Sequence, residues 1–354
     1  MHRHPTIITP CFNPCTVKIN FIPEPPMNAA VVQSFSAPPT YITFDDPIPN
    51  PDAGEVLVTV RAAALHRIVK SLANGTHYGS AGILPFIPGV DGVGVLQSSF
   101  RELPAGTRVL FGSARPPFGT FAEQCVASSS ILIPLPDAIP DATAAAIANP
   151  AMSSTVALMR AQFQPGESVL ILGATGVSGQ LAVQIAKSRG ARRVIATGRN
   201  PQALSELANL GADATISLDQ SPETLTAALR NEIATHGADV VLDYLWGPPA
   251  EALLAAIAQK GLDHAAPRIR YVQIGNMAGA TISLPAATPR SSGLELLGSG
   301  FGSASLAQIR QAITDFFTHL ATNPLHFALK TAPLSEVTTL WNTNDPAVRL
   351  VFQP

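Results

Sequence analysis

Cysteine is nearly absent: Cys11, Cys15 and Cys125 are the only ones in 354 residues. So few thiols exclude a disulfide framework and fit a reducing compartment, the cytoplasm. Cys11 and Cys15 are spaced C-x-x-x-C, yet no second ligand pair follows them, which argues against a zinc site there. Charge is scarce too. Asp, Glu, Lys and Arg make up 13% of the chain, against about 25% in an average protein. The net charge is −2 and no basic stripe exists, so nucleic acid is excluded as a partner. Apolar runs stay short of the roughly 18 residues of a membrane span, and none is expected.

What is present suits a globular protein of about two domains. Hydrophobic residues reach 46%, and the 32 prolines favour a loop-rich part over a helical bundle. The chain is organised around Val169 to Asn200, VLILGATGVSGQLAVQIAKSRGARRVIATGRN. An apolar run of strand length, Val169 to Leu172, leads into a turn holding Gly173, Gly176 and Gly179. The amphipathic segment Gln180 to Arg189 follows and stops at Gly190, a C-cap. A second apolar run, Val194 to Thr197, completes a βαβ unit.

Such a turn brings backbone close to a ligand and aims helix N–H groups at an anion. Read as A-x-G-x-x-G, it makes Ala174, Thr175, Gly176, Val177 and Ser178 the candidate pyrophosphate-binding residues. A carboxylate about 20 residues on normally takes the ribose hydroxyls of NAD. Here the second strand ends Thr197, Gly198, Arg199, Asn200, with no acid. Arg199 offers a fork of donors to a 2′-phosphate, so the expected cofactor is NADPH, held also by Gly198 and Asn200. A solvated loop cation is the other reading of Arg199.

Around this unit the pattern changes. Residues 1–26 carry prolines and little periodicity, and match neither a secretory signal nor a transit peptide; they read as an extension, with Met27 as the native start. Residues 29–126 read as short strands with turn signals, Glu55 to Val60 alternating cleanly, as in a barrel or sandwich. Pro134, Pro136 and Pro140 mark a linker, and Asp141 to Ala148 a helix capped by Asp141. Beyond Asn149, strands alternate with helices: Ala214–Ser217, Pro222–His236, Ala238–Asp243, Pro249–Gln259, Ile269–Ile274 and Gly293–Ser299. This is the cadence of a doubly wound parallel sheet. Ser305 to Thr322 reads as a long amphipathic helix, and the tail as strand, helix and strand.

Four stretches together carry a resemblance: PFIPGVDGVGVL (Pro85–Leu96), NPAMSSTVAL (Asn149–Leu158), PGESVLILGATGVSG (Pro165–Gly179) and SSGLELLGSG (Ser291–Gly300). With them the chain resembles the zinc-free quinone oxidoreductase branch of the medium-chain dehydrogenase/reductase superfamily, over nearly all but the extension. The resemblance implies an α/β fold in which a GroES-like β-barrel, 27–148 with 303–354, flanks a Rossmann doubly wound parallel sheet, 149–302, with the active cleft between. It implies a homodimer through the sheet edge near Leu294 to Gly298. In zinc-dependent relatives the first ligand would fall at His66 and a His-Glu pair at Val90-Asp91. Val90 cannot ligate, no Cys lies near 148–153, and the four-Cys lobe is missing, so no metal is expected. The branch usually has Asn at His66, an acid at Val69, Lys at Ala203 and an aromatic at Leu218. The last two departures leave more of the 2′-phosphate role to Arg199.

Without a Lewis acid for an alkoxide, hydride transfer suits acceptors that spread charge, quinones and α,β-unsaturated ketones. The candidate donors of a hydrogen bond to the acceptor oxygen are Tyr78 and His66, with His77 behind; Tyr78 reads equally as a surface aromatic. Ser153 and Ser154 are expected at the nicotinamide carboxamide, Gly275 and Asn276 at the strand ends under the cofactor, and Phe301 either in the cleft or in packing. Two other functions share these features. One is a weakly catalytic NADPH-binding regulatory protein. The other is an enoyl-thioester reductase, with Arg61, Arg67 and Lys70 as its basic mouth. Metal analysis should show no stoichiometric zinc, and a chelator should leave turnover intact.

Overall fold

The computed structural model describes residues 26–80, 82–260, 267–300, 302–343 and 345–354. The expected extension lies, up to residue 25, outside the described residues, as does Phe301.

The first part of the chain alternates buried and exposed side chains, and it folds as sheet. β1 (Met27–Val31) and β2 (Thr40–Phe44) pair antiparallel. β3 (Glu55–Ala64) buries Val56, Val58 and Val60 and turns Thr59 and Arg61 outward. After α1 (Arg67–Ala73) come β4 (Asp91–Leu96), β5 (Arg108–Ser113) and β6 (Gln124–Pro134). These run antiparallel in the order β3-β4-β5-β6, and β6 pairs back onto β3, closing a small barrel. Register shifts near Val60/Ala62 and Phe111/Ser113 bend the strands for closure.

The next part is βα-alternating. α2 (Asp141–Arg160) leads to β7 (Ser168–Leu172), α3 (Val177–Ser188), β8 (Arg193–Gly198), α4 (Pro201–Glu206), β9 (Ala214–Ser217) and α5 (Pro222–His236). Then follow β10 (Val240–Asp243), α6 (Gly247–Ile257), β11 (Arg268–Gln273), α7 (Ala287–Arg290) and β12 (Gly293–Gly298). The parallel sheet has the order β12-β11-β10-β7-β8-β9. β7 is central and every side chain of its SVLIL run is buried, as a strand covered on both faces requires. α8 (Leu306–Leu320) is stopped at its start by a capping box, Ser305 with Gln308, and buries Ile309, Ile313, Phe316 and Phe317. The tail, β13 (Ala328–Pro333), α9 (Val337–Leu340) and β14 (Val348–Gln353), returns to the barrel sheet, where β14 pairs with β3.

Two expectations of the sequence differ from this fold. The helix from Asp141 does not end at Ala148; it runs 20 residues to Arg160 with Pro150 inside, and its N-cap is Pro140, not Asp141. Proline usually breaks a helix. Here Ala151, Val156 and Leu158 are buried beyond it, so packing carries the helix on; the Pro150 carbonyl also accepts the hydroxyls of Ser153 (2.7 Å) and Ser154 (3.1 Å). The prolines at 134–140 are less of a linker than they look, since β6 reaches Pro134 while paired with β5.

α2 lies between the two sheets. Its Ala144–Ala148 run and Ala151 are buried in one core that joins Ala62, Val93 and Leu110 of the barrel to Val169 and Leu242 of the parallel sheet and Leu181 of α3. The boundary placed between 148 and 149 falls inside this helix. Alanines allow close approach on every side, so the barrel and the parallel sheet share one packed wall.

Gly179 fixes how α3 leaves β7. A Cβ there would stand 2.3 Å from the Gly173 carbonyl oxygen and 2.5 Å from the Ala174 Cα. Gly179→Ala should therefore overpack this junction and lower stability by about 1–3 kcal/mol. A chemical denaturation midpoint measures it, and an unchanged midpoint would mean that the helix can shift freely.

Candidate active site

The strand ends and the tail together enclose a cleft of ≈ 1790 Å³. Single small-molecule pockets usually hold about 300–1,000 Å³, so this one has room for a dinucleotide and an acceptor side by side. One wall is the C-terminal edge of the parallel sheet, from Gly198 and Arg199 through Gly173 to Gly275 and Leu297; the other is α1 with Thr343, Asp345, Pro346 and Val348 to Leu350.

The glycine turn faces this space. The N–H groups of Thr175 and Gly176 meet no acceptor among the described residues, while Ala174 N–H donates to the Thr197 carbonyl (2.7 Å) and Val177 N–H to the Pro346 carbonyl (3.0 Å). Two free amides at the start of α3, with the helix dipole behind them, form an anion cradle. Gly198 lets the Thr175 side chain pack against the end of β8, since a Cβ there would stand 2.3 Å from the Thr175 Cγ2. Arg199 lines the cleft, is exposed, and forms no ion pair or hydrogen bond among the described residues. A free guanidinium at the end of β8 and free amides after β7 suit a dinucleotide with an extra phosphate on its ribose.

Most residues singled out in the sequence meet here. Thr175, Gly176, Val177, Ser178, Gly198, Arg199, Gly275 and Asn276 line the cleft. Others point elsewhere. Asn200 caps α4, its Oδ1 accepting from Ala203 N–H at 3.1 Å. Ala174 is wholly buried. Ser153 lines the cleft, but Ser154 lies beneath it, where its hydroxyl shares a hydrogen with the Tyr244 phenol at 2.8 Å. Burial raises the Tyr244 pKa, so the phenol stays protonated and Tyr244, not Ser154, meets the cleft.

On the opposite wall, Tyr78 and His66 differ sharply. Tyr78 is 77% exposed and stacks on His77 with ring centroids 4.2 Å apart. Its hydroxyl lies 3.5 Å from where a Cβ on Gly300 would stand, so the loop after α1 reaches across to the segment after β12. His66 is 2% exposed, caps α1 from the end of β3, and lines the floor. Burial first, and then the Arg349 guanidinium, hold its pKa well below the ordinary value, so the ring is neutral at pH 7. The tail supplies residues that sequence reasoning missed. Arg349 donates to the Leu65 carbonyl (3.2 Å) from β14, and Lys330 of β13 and Pro346 also line the cleft. A charged side chain inside the apolar VRLVF run was the available signal for Arg349.

Trp246 is another missed residue. Its backbone has φ 55° and ψ −161°, a region that side chains rarely occupy. Buried Asp243 holds it there, its Oδ1 accepting from the N–H groups of Leu245 (2.7 Å) and Trp246 (2.9 Å) and its Oδ2 from the Tyr271 hydroxyl (2.7 Å). The turn so fixed presents Leu245 and Trp246 to the cleft.

Two family models match this chain side by side: "Alcohol dehydrogenase GroES-like domain" over residues 52–137 and "Zinc-binding dehydrogenase" over residues 178–318. The chain belongs to the medium-chain dehydrogenase/reductase superfamily. Within it, the chain is 28% identical to a probable NADPH-dependent quinone reductase of Emericella nidulans, over 93% of this chain and all of that one. It is 29% identical to a chloroplastic NADPH-dependent alkenal/one oxidoreductase of Arabidopsis thaliana, over 50% of this chain and 48% of that one. A crystal structure of a probable oxidoreductase from Mycobacterium abscessus superposes with a TM-score of 0.72 at 25% identity, covering 93% of this chain and 99% of that one. One model's description names zinc. Among the described residues, no group of three or more His, Cys, Asp or Glu side chains is placed to hold a metal.

Replacing Arg199 by Ala removes the charge nearest the end of β8. A hydrogen bond to a charged group is worth about 1.5–3 kcal/mol, so KM for NADPH should rise about 10- to 100-fold while KM for NADH stays put. Steady-state kinetics with both cofactors measures this; an equal effect on both would refute the 2′-phosphate contact.

Proposed function

We propose that the protein reduces a quinone or an α,β-unsaturated carbonyl with NADPH, without zinc. The observation that carries this reading is the pairing of free amides at Thr175 and Gly176 with an Arg199 that has no partner among the described residues, in a chain similar over 93% of its length to a probable NADPH-dependent quinone reductase. NADPH, when bound, supplies the hydride. The chain's own residues bind, orient and shield. The amides and the α3 N-terminus hold the pyrophosphate, Arg199 takes the 2′-phosphate, and Ser153, Gly275 and Asn276 lie along the nicotinamide end. Leu245 and Trp246 line the same wall and keep it dry.

The acceptor enters between Tyr78 and His66. Either side chain donates a hydrogen bond to the oxygen on which charge develops. An extended π-system lowers the demand on that bond, which fits a site with no cluster of metal ligands among the described residues.

The working division is 27–148 with 303–354 for the barrel part and 149–302 for the cofactor part, supported by the strands of each sheet. A homodimer through β12 is part of this reading. β12 ends the parallel sheet, so one side of its backbone is unpaired, and its Leu296 is 44% exposed. Residence in the cytoplasm rests on the scarcity of cysteine. Among the described residues no helix is long and apolar enough to cross a membrane.

The test is NADPH oxidation against a panel of quinones and enones. Turnover of at least one, preferring NADPH to NADH, is the expected result. Tight NADPH binding with no turnover of any acceptor would replace the reductase by a binding protein.

A further inference from the structure

The floor of the cleft, with Asp91 just behind it, gathers polar atoms that lack a partner. Among the described residues, both ring nitrogens of His66, Oδ1 of Asp91 and Nε of Arg349 are buried with no partner at hydrogen-bond distance and angle. Buried side-chain polar atoms are nearly always paired, so several in one place mark a site that expects a ligand or water. They come from separate parts of the chain: His66 from the end of β3, Asp91 from the start of β4, Arg349 from β14. The Nε2 of His66 lies 3.7 Å from Asp91 Oδ1, too far for a hydrogen bond, and a small side-chain movement or one water closes that gap. Apo sites often hold their catalytic contacts this loosely.

We propose that Asp91 and His66 form a proton relay to the acceptor oxygen, with the Arg349 guanidinium as the positioning charge beside them. This deepens the reductase reading and rests on it. The hydride pair adds to an acceptor carbon and leaves an enolate or phenolate oxygen. The Nδ1–H bond of His66 breaks and its proton goes to that oxygen, while the Asp91 carboxylic acid gives its own proton to Nε2. Asp91 is left as a carboxylate. A solvent proton taken up at Nδ1 then returns the Nε2 proton to Asp91 and restores both groups. Overall one hydride and one proton enter the acceptor.

The neighbours suit these roles. A relay ring must be neutral, with one nitrogen bare and one protonated, and burial keeps His66 so. Burial also raises the Asp91 carboxyl to about 7, against the opposing pull of Arg349. Arg349, lowered to about 10 by burial, stays charged at neutral pH and steadies the carboxylate left after transfer; Arg67 acts on it in turn. From α2, packed on β4, the backbone of Ala145 bears on His66.

The test is the pH–rate profile of NADPH-dependent turnover in the wild type, Asp91→Asn and Asp91→Glu. In the wild type kcat should fall as pH rises through about 7, where the Asp91 proton is lost. Asp91→Asn should lose that limb and about 10²-fold in kcat with KM for NADPH unchanged, and Asp91→Glu should restore part of both. A limb kept in Asp91→Asn, or a loss of NADPH affinity in step with kcat, overturns the relay. Should the wild type turn over no acceptor, the reductase reading fails by itself, and 4-nitrophenolate then decides the relay. Bound to the wild type near neutral pH it should take the Asp91 proton and lose its phenolate absorbance, and in Asp91→Asn keep it. Equal absorbance in the two proteins, or no binding, overturns the inference.

Discussion

The structure depends on the packing of α2. Its buried alanines, Ala144, Ala145, Ala146, Ala148 and Ala151, let the barrel strands β3 and β4 press on one side and α3 on another. Larger side chains would hold the two sheets apart and open the cleft. Alanine contributes little transfer energy of its own, but it lets neighbours such as Leu110, Leu158 and Leu181 meet at interior density. The same helix brings Ser153 to the cleft wall, Ser154 beneath it against Tyr244, and the Ala145 backbone to His66. One element therefore fixes both the width of the cleft and part of its chemistry.

The cleft divides into two electrostatic regions. Along the sheet edge, positive character comes from free amides and one exposed guanidinium, all open to a highly charged cofactor. On the floor, charge is buried, and its cost appears as displaced protonation: His66 is held neutral and Asp91 is raised toward neutrality. Anion binding is served by the first region and proton movement by the second. Strain sits at the turn after β10, where Asp243 holds Trp246 in a conformation that its side chain disfavours.

How much was legible can be traced residue by residue. The βαβ unit from Val169 to Asn200 was readable because each of its signals is local: an apolar strand, a glycine turn, helical periodicity and a C-cap. The helix Pro222–His236 and the long amphipathic helix read from Ser305 were local in the same way. Helix α2 was half read, since proline is a local breaker and only tertiary burial overrides it. Ser154 and Asn200 carried the right chemistry for a site, but the sequence gives no measure of which way a side chain turns. Asn200 caps a helix and Ser154 supports Tyr244.

By itself the sequence determined the fold class, the glycine turn after the first strand of the parallel sheet, the missing acid at the end of β8 and the absence of a ligating side chain at Val90. These are properties of neighbouring residues and of donor chemistry, and no folding is needed to see them. Only the tertiary structure decided that His66, Asp91 and Arg349 share one floor. His66 and Arg349 are nearly three hundred positions apart, and β14 brings them together by pairing with β3. Their protonation follows from burial, which is a property of the packed whole and is written in no local run of residues.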